Sequence, residues 1–289
     1  MNNFKILSDT SCDLPKEMAE KYDIGLVSFN ITFDGGATYL KECIDITSDE
    51  LCERMLGKDV FPKTSLPSVM DYTDAFRPHL IDGRDVFCVC LSSKFSGSYQ
   101  SAVNAATMLL EEFPERKIKV VDSLLATFLQ GLLVLDVAKY REEGKGVDEI
   151  FDLVESYKSD GFAYLTVDTL EYLQKGGRIG KTAALAGGIL NIKPIILLEH
   201  GALSPHSKAR GRKKALSEVV ELTSAFLKGK EDEYRAWVLS SGFEEDAIAM
   251  ADLAKEKGVM AEGIGKIGAT ITVHAGLGVA GIVVLRNRP

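Results

Sequence analysis

Three hydroxyl-rich turns stand out in this 289-residue chain as places where a polar ligand group could be held. They are Ser8-Asp9-Thr10-Ser11, Lys63-Thr64-Ser65-Leu66-Pro67-Ser68, and the longer run from Ser92 through Ser96 to Ser101. Each follows or adjoins a segment with the pattern of a strand. In a parallel α/β sheet, ligands gather outside the carboxyl ends of strands, near the switch in strand order. Hydroxyls there donate hydrogen bonds without adding charge. Ser and Thr in such turns also cap helices, so residue type alone leaves both roles open.

Other patterns point to chemistry that the surrounding sequence does not support. Gly263-Ile-Gly265-Lys-Ile-Gly268 and Gly276-Leu-Gly278-Val-Ala-Gly281 both fit G-x-G-x-x-G. Each is followed by β-branched residues, Ala269 to Val273 and Ile282 to Leu285, which predict strands. A dinucleotide site needs a helix next and an acidic residue some twenty positions on. Gly176-Gly177-Arg178-Ile179-Gly180-Lys181-Thr182 resembles a phosphate loop but has one residue too few between its glycines, and it follows a helical piece. Neither a G-x-S-x-G elbow nor an H-E-x-x-H motif is present. The four histidines, His79, His200, His206 and His274, are isolated in sequence, and nothing supports a metal site.

The elements that must position the three turns alternate between strand and helix. Residues 4–8 read as a strand, and Ile24 to Phe33 alternates as one more. Thr47-Ser48-Asp49-Glu50 opens a helix with capping residues. The apolar run Val86 to Leu91 suits a parallel strand buried on both faces. A helix from Ser98 to Glu112, a strand from Ile118 to Val121 and a helix ending near Glu143 follow. This grammar predicts a first α/β domain, 1–158, with a mostly parallel sheet. The second α/β domain, 159–289, is expected to carry a mixed sheet, including a hairpin at His200-Gly201 and a strand-rich tail from Met260 to Leu285. Close packing of the two is expected, because no low-complexity linker separates them.

Composition is ordinary, 46% hydrophobic and 26% charged, and long enough for a large core and a ligand cavity. A net charge of −8 argues against nucleic acid and against adsorption to anionic lipid. No run approaches the roughly 18 apolar residues of a membrane span, so no stable membrane insertion is expected. The five cysteines form no C-x-x-C, and Cys88 and Cys90 alternate on an apolar strand as buried free thiols. Cytoplasmic residence is the expectation.

Seven segments in order resemble the DegV family. The opening Ser8-Asp9-Thr10-Ser11-Cys12-Asp13-Leu14-Pro15 is similar to its T-D-S-x-x-D-L-P start, and Thr64-Ser65-Leu66-Pro67-Ser68 to its T-S-Q-P-S motif. Leu91 to Ala102 is similar to L-S-S-x-L-S-G-T-Y-Q-S-A. Leu173 to Ile179, Ile192-Lys193-Pro194-Ile195, and the arginine segment Lys208 to Ala215 come next. Ile267-Gly268 with His274 to Gly278 is similar to the I-G…H-x-G-P-G ending. Phe95 stands for Leu, Ser98 for Thr, Leu66 for Gln and Leu277 for Pro.

That resemblance implies a two-domain, non-enzymatic lipid-binding protein that holds one long-chain fatty acid, such as palmitate or oleate, at the domain junction, with no other cofactor. It implies that Thr64, Ser96 and His274 bind the carboxylate and that the acyl tail lies in an apolar tunnel of the second domain. It further implies a separate ATP-binding fatty acid kinase subunit as a partner in some bacteria, with Arg178 and Arg210 near the exposed head group. The physics is compatible: burying fifteen methylenes at about 0.8 kcal/mol each gives roughly 12 kcal/mol gross, less several for ordering and association. A buried carboxylate needs partners, and two hydroxyls and an imidazole supply them. The alternative is a serine hydrolase or acyltransferase with Ser96 as nucleophile and His274 as base, for which no orienting acid is evident.

Overall fold

The apolar run around Val86 forms a strand, Asp85–Cys90, that is buried from its second residue onward. It lies inside a sheet, as a strand apolar on both faces must. The computed structural model describes residues 4–57, 60–185 and 191–288. Residues 1–3 of the opening segment lie outside the described residues.

In chain order the first half contains β1 (Phe4–Asp9), a 3-10 turn at Thr10–Cys12, α1 (Lys16–Lys21), β2 (Ile24–Val27), β3 (Asn30–Thr32), β4 (Leu40–Lys41), α2 (Ser48–Met55) and β5 (Lys63–Ser65). It continues with α3 (Val69–Ile81), β6 (Asp85–Cys90), α4 (Ser98–Glu112), β7 (Ile118–Asp122), α5 (Thr127–Glu142) and α6 (Val147–Tyr157). The second half contains β8 (Phe162–Thr166), α7 (Glu171–Lys175), a 3-10 segment at Gly180–Leu185, β9 (Ile192–Glu199), β10 (Ala202–Arg210) and α8 (Arg212–Leu227). It ends with β11 (Tyr234–Ser240), α9 (Glu244–Glu256), β12 (Ala261–Lys266), α10 (Ala269–Ala275) and β13 (Ala280–Arg286).

The first sheet has the order β2-β1-β6-β7 and is parallel throughout. The larger sheet runs β10-β9-β8-β13-β11-β12 and is mixed, only β11 and β12 being parallel neighbours. Both match the sequence expectation, as do the β9–β10 hairpin and the capping box that starts α2. A third sheet, β4-β3-β5, is antiparallel.

Two strand expectations need correction. Ile24 to Phe33 is not one strand: it divides into β2 in the parallel sheet and β3 in the small sheet. The chain crosses between them at Ser28 and Phe29, where Phe29 N–H donates to Thr10 Oγ1 at 3.0 Å. Ala269 to Val273 is also not a strand but most of helix α10. The β-branched pattern lost to tertiary contacts: Ala269 and Val273 pack with Ile31, Ile46, Leu51 and Met55, and local propensity is a weak prior against such burial. A helix therefore does follow the first glycine pattern. Its first turn is occupied by the Glu42 carboxyl group, so the place a phosphate would take is already filled.

Helix α5 is buried almost all round, as a helix without a polar face must be. Phe128, Leu129 and Leu132 share one core with Phe4 and Ile6 of the parallel sheet and with Val283 and Leu285 of the mixed sheet. The Phe128 and Trp237 rings pack at 4.6 Å between centroids. Asp136 of α5 is paired with Arg235 of β11 in the same interface, and Tyr157 O–H donates to Asp136 at 2.9 Å. The two halves are thus joined by a continuous apolar core containing a buried ion pair.

Candidate functional site

Thr64 is the middle residue of β5 and is held in register by Ile31 of β3. Ser96 lies in the turn between β6 and α4, where Phe95 N–H donates to Ser92 O at 2.9 Å. Ser98 N–H donates to Ser96 Oγ at 3.2 Å, so the Ser96 hydroxyl accepts from the helix start and keeps its own O–H available. His274 lies in the last turn of α10. Thr64 Oγ1 and His274 Nε2 are 2.7 Å apart.

These residues line one cavity of about 310 Å³. Its walls are mostly apolar and come from both halves: Phe29, Leu91 and Phe95 from the first, Leu165, Leu198 and Ile271 from the second. Its polar lining includes Thr64, Ser96, His274 and Arg178. Thr127 and Thr270 also line it, but their hydroxyls donate to Asp13 and Glu42, carboxylates outside this cavity.

His274 is held neutral. Burial, and then the charge of Arg178, lower its pKa to about 4. Its Nδ1 is buried without a hydrogen-bond partner and faces Gly176, where a Cβ would stand 2.4 Å away. With the hydrogen on Nε2, the imidazole donates to Thr64 Oγ1 and leaves the Thr64 O–H to donate onward. Arg178 is exposed at the cavity's edge, its Nε donating to Phe95 O at 3.1 Å and its Nη1 to Gly176 O at 2.6 Å. It ties the Ser96 turn to the Gly176-Gly177 turn. Arg210 is elsewhere: it ends β10 opposite Ile192 and does not line the cavity. Of the departures from the family pattern, Leu66 and Phe95 line the cavity, whereas Leu277 packs beside the Ile31 and Val273 core.

Behind the Ser96 turn sits Asp9, buried at the end of β1. It accepts from Leu91 N–H at 2.9 Å, Ser98 O–H at 2.8 Å, Ser11 O–H at 2.6 Å and Gln130 Nε2 at 3.0 Å. A carboxylate so satisfied fixes the turn from both sides. Asp9 was visible in sequence only as part of a polar turn. Glu42, on the far side of the site, carried no motif signal.

A parallel α/β unit and a mixed-sheet α/β unit enclosing an apolar cavity, with a hydroxyl–imidazole pair in its wall, define the class. The chain belongs to the DegV family: the model for "Uncharacterised protein, DegV family" matches residues 3–287. A DegV domain-containing protein of Clostridium perfringens is 34% identical over 283 residues, 98% of this chain and 99% of that one. A stearic acid-binding protein of Eubacterium ventriosum has the same fold with TM-score 0.93, 34% identity and 98% coverage of both chains. A DegV family protein of Thermus thermophilus, described as fatty-acid-binding, aligns with TM-score 0.88 and 31% identity over 99% of this chain and 100% of that one.

Proposed function

We propose that this protein binds one long-chain fatty acid, such as palmitate or oleate, with its carboxylate at Thr64 and Ser96 and its tail in the apolar cavity. The observation that carries the reading is the pairing of a mostly apolar cavity with the His274–Thr64 contact in its wall, in a chain similar to a stearic acid-binding protein. His274 acts through Thr64: its Nε2–H donates to Oγ1 and the threonine O–H donates to the carboxylate. The Ser96 O–H is the second donor, and Arg178 supplies positive charge at the edge. Hydrogen bonds to an ionised group are the strong ones, which allows a carboxylate to sit against apolar walls.

Binding rather than catalysis is favoured by two features. His274 Nε2 is committed to Thr64 rather than Ser96, and its Nδ1 has no carboxylate to orient it, unlike the base of a serine hydrolase. The division into 1–158 and 159–289 is part of the proposal, supported by strands that stay within one half in every sheet. The cavity draws walls from both halves, which supports a tail held at their junction.

The finer reading is that a separate ATP-binding kinase subunit takes the exposed carboxylate as its substrate, with Arg178 at the contact and Arg210 farther along the same partner surface. Among the described residues no helix is long and apolar enough to cross a membrane. The cysteines Cys12, Cys43, Cys52, Cys88 and Cys90 are free thiols, which fits the reducing cytoplasm. Native mass spectrometry of the purified protein tests the main reading. A retained C16–C18 acid is expected; an empty protein that also takes up neither palmitate nor oleate would refute it. Acyl phosphate formed only when this protein, the kinase subunit and ATP are mixed would support the partner reading, and its absence would remove it.

A further inference from the structure

Glu42 is buried just past β4, and its carboxylate reaches the start of α10. Thr270 N–H donates to Oε1 at 2.9 Å and Thr270 O–H donates to Oε2 at 2.6 Å. Helix α10 has seven residues, and its N-cap, Gly268, makes no side-chain cap bond. A helix this short has little stability of its own, and its first N–H groups need outside acceptors. A carboxylate there satisfies one and complements the helix dipole. Gly268 permits the approach, since a Cβ on it would stand 3.1 Å from Glu42 Oε1 and 2.2 Å from Asp13 Oδ1.

Glu42 is also linked, through the backbone of the small sheet, to Thr64. Its own N–H donates to Phe29 O at 2.9 Å, and Ile31, two residues on, pairs with Leu40 on one side and Thr64 on the other. His274 comes four residues after Thr270, one turn farther along the same helix face. The small sheet that carries Thr64 and the helix that carries His274 share the core of Ile31, Ile46, Ala269 and Val273. One residue therefore connects both partners of the Thr64–His274 contact, through its backbone to one and its side chain to the other.

We propose that Glu42 is a positioning residue for the head-group site: its bonds to Thr270 hold α10 where His274 reaches Thr64. Its functional meaning rests on the fatty-acid reading, but its geometry does not. The test uses the delipidated full chain, with stearate as probe, and the ring 15N signals of His274 in the ligand-free protein. Glu42→Ala is expected to weaken stearate binding about tenfold, in line with loss of a helix cap, and to shift the His274 ring signals as the Nε2 contact loosens. Glu42→Gln keeps an acceptor for Thr270 N–H and is expected to return affinity to within about threefold of wild type. Glu42→Asp, whose shorter side chain withdraws the cap, carries the same test if the alanine variant does not fold. His274 signals identical to wild type in both Ala and Asp variants would overturn the proposal, as would stearate affinity unchanged from wild type in those variants, given a wild type that binds stearate. If the wild type takes up no stearate, the fatty-acid reading fails, and the ring signals alone decide the role of Glu42: a shift upholds it and no shift overturns it.

Discussion

Thr64 Oγ1 lies 2.7 Å from His274 Nε2, although 210 residues of chain separate them. Two groups so far apart in sequence and so close in space owe their contact to the whole fold. If the imidazole donates to the threonine, the Thr64 O–H is aimed into the cavity by His274. Thr64→Val keeps the side-chain shape and removes the hydroxyl. Its affinity for stearate is expected to fall by roughly ten- to hundredfold, the usual worth of a hydrogen bond to a charged group. His274→Gln combined with Thr64→Val is expected to cost less than the sum of the two alone, because they act in one chain. Calorimetric titration of the single and double variants measures this, and strict additivity would contradict it.

The neutral state of His274 has a consequence for acid stability. The unfolded chain takes up the histidine proton near pH 6.5, whereas the folded protein resists until about 4. This contribution is therefore full above pH 6.5 and is lost as pH falls toward 4, by roughly 3 kcal/mol in all. Urea unfolding of wild type and His274→Gln across that range isolates it. The stability gap between them should change with pH in that window, and a constant gap would contradict the account.

Gly176 leaves the space that Nδ1 of His274 occupies. Its φ of −76° suits any residue, so alanine would not strain the backbone, yet a Cβ would come within 2.4 Å of Nδ1. Gly176→Ala should push the ring off Thr64, with overpacking of about 1–3 kcal/mol and weaker stearate binding. A variant that binds like wild type would show that the ring can move without consequence. Thermal melting and titration of the same sample separate the two effects.

Asp13 and Glu42 behave oppositely to His274. Burial chiefly, and for Asp13 the nearby Glu42 charge, hold both carboxyls above the ordinary range. The folded state therefore retains protons that the unfolded state releases, and stability falls as pH rises through the folded-state values. The other ionisable groups facing the pair are Asp9, Cys12 and Cys43, and the Cys43 thiol is itself pushed up to about 12. Asp13→Asn removes one titrating group and one repulsion. As pH rises above the ordinary carboxylate range, melting temperature should decline less steeply in the variant than in wild type; an equal slope would refute this.

Much of this was legible in the sequence, and the exceptions have physical causes. Val86 to Leu91 and Ser98 to Glu112 were readable because burial pattern and local propensity agree there. Thr64, Ser96 and His274 were readable through the motifs around them, and the fold brings all three to one cavity. The β-branched residues of Ala269 to Val273 favour a strand, while the opposing influences, Glu42 and the Ile31 core, come from more than 200 residues earlier and leave no local signal. Glu42 was invisible for the same reason, since a cap supplied from a distant part of the chain leaves no local spacing to detect. Arg210, by contrast, lies at the end of β10 and does not line the cavity, so its expected role in partner or phosphate contact rests on the motif match.

A crystal structure of the protein grown with stearate tests the central claim most directly. The account expects elongated density with a carboxylate oxygen about 2.6–3.0 Å from each of Thr64 Oγ1 and Ser96 Oγ, and a tail running along Leu165 and Leu198. A ligand with its head group elsewhere, or a cavity that stays empty at saturating stearate, would contradict it.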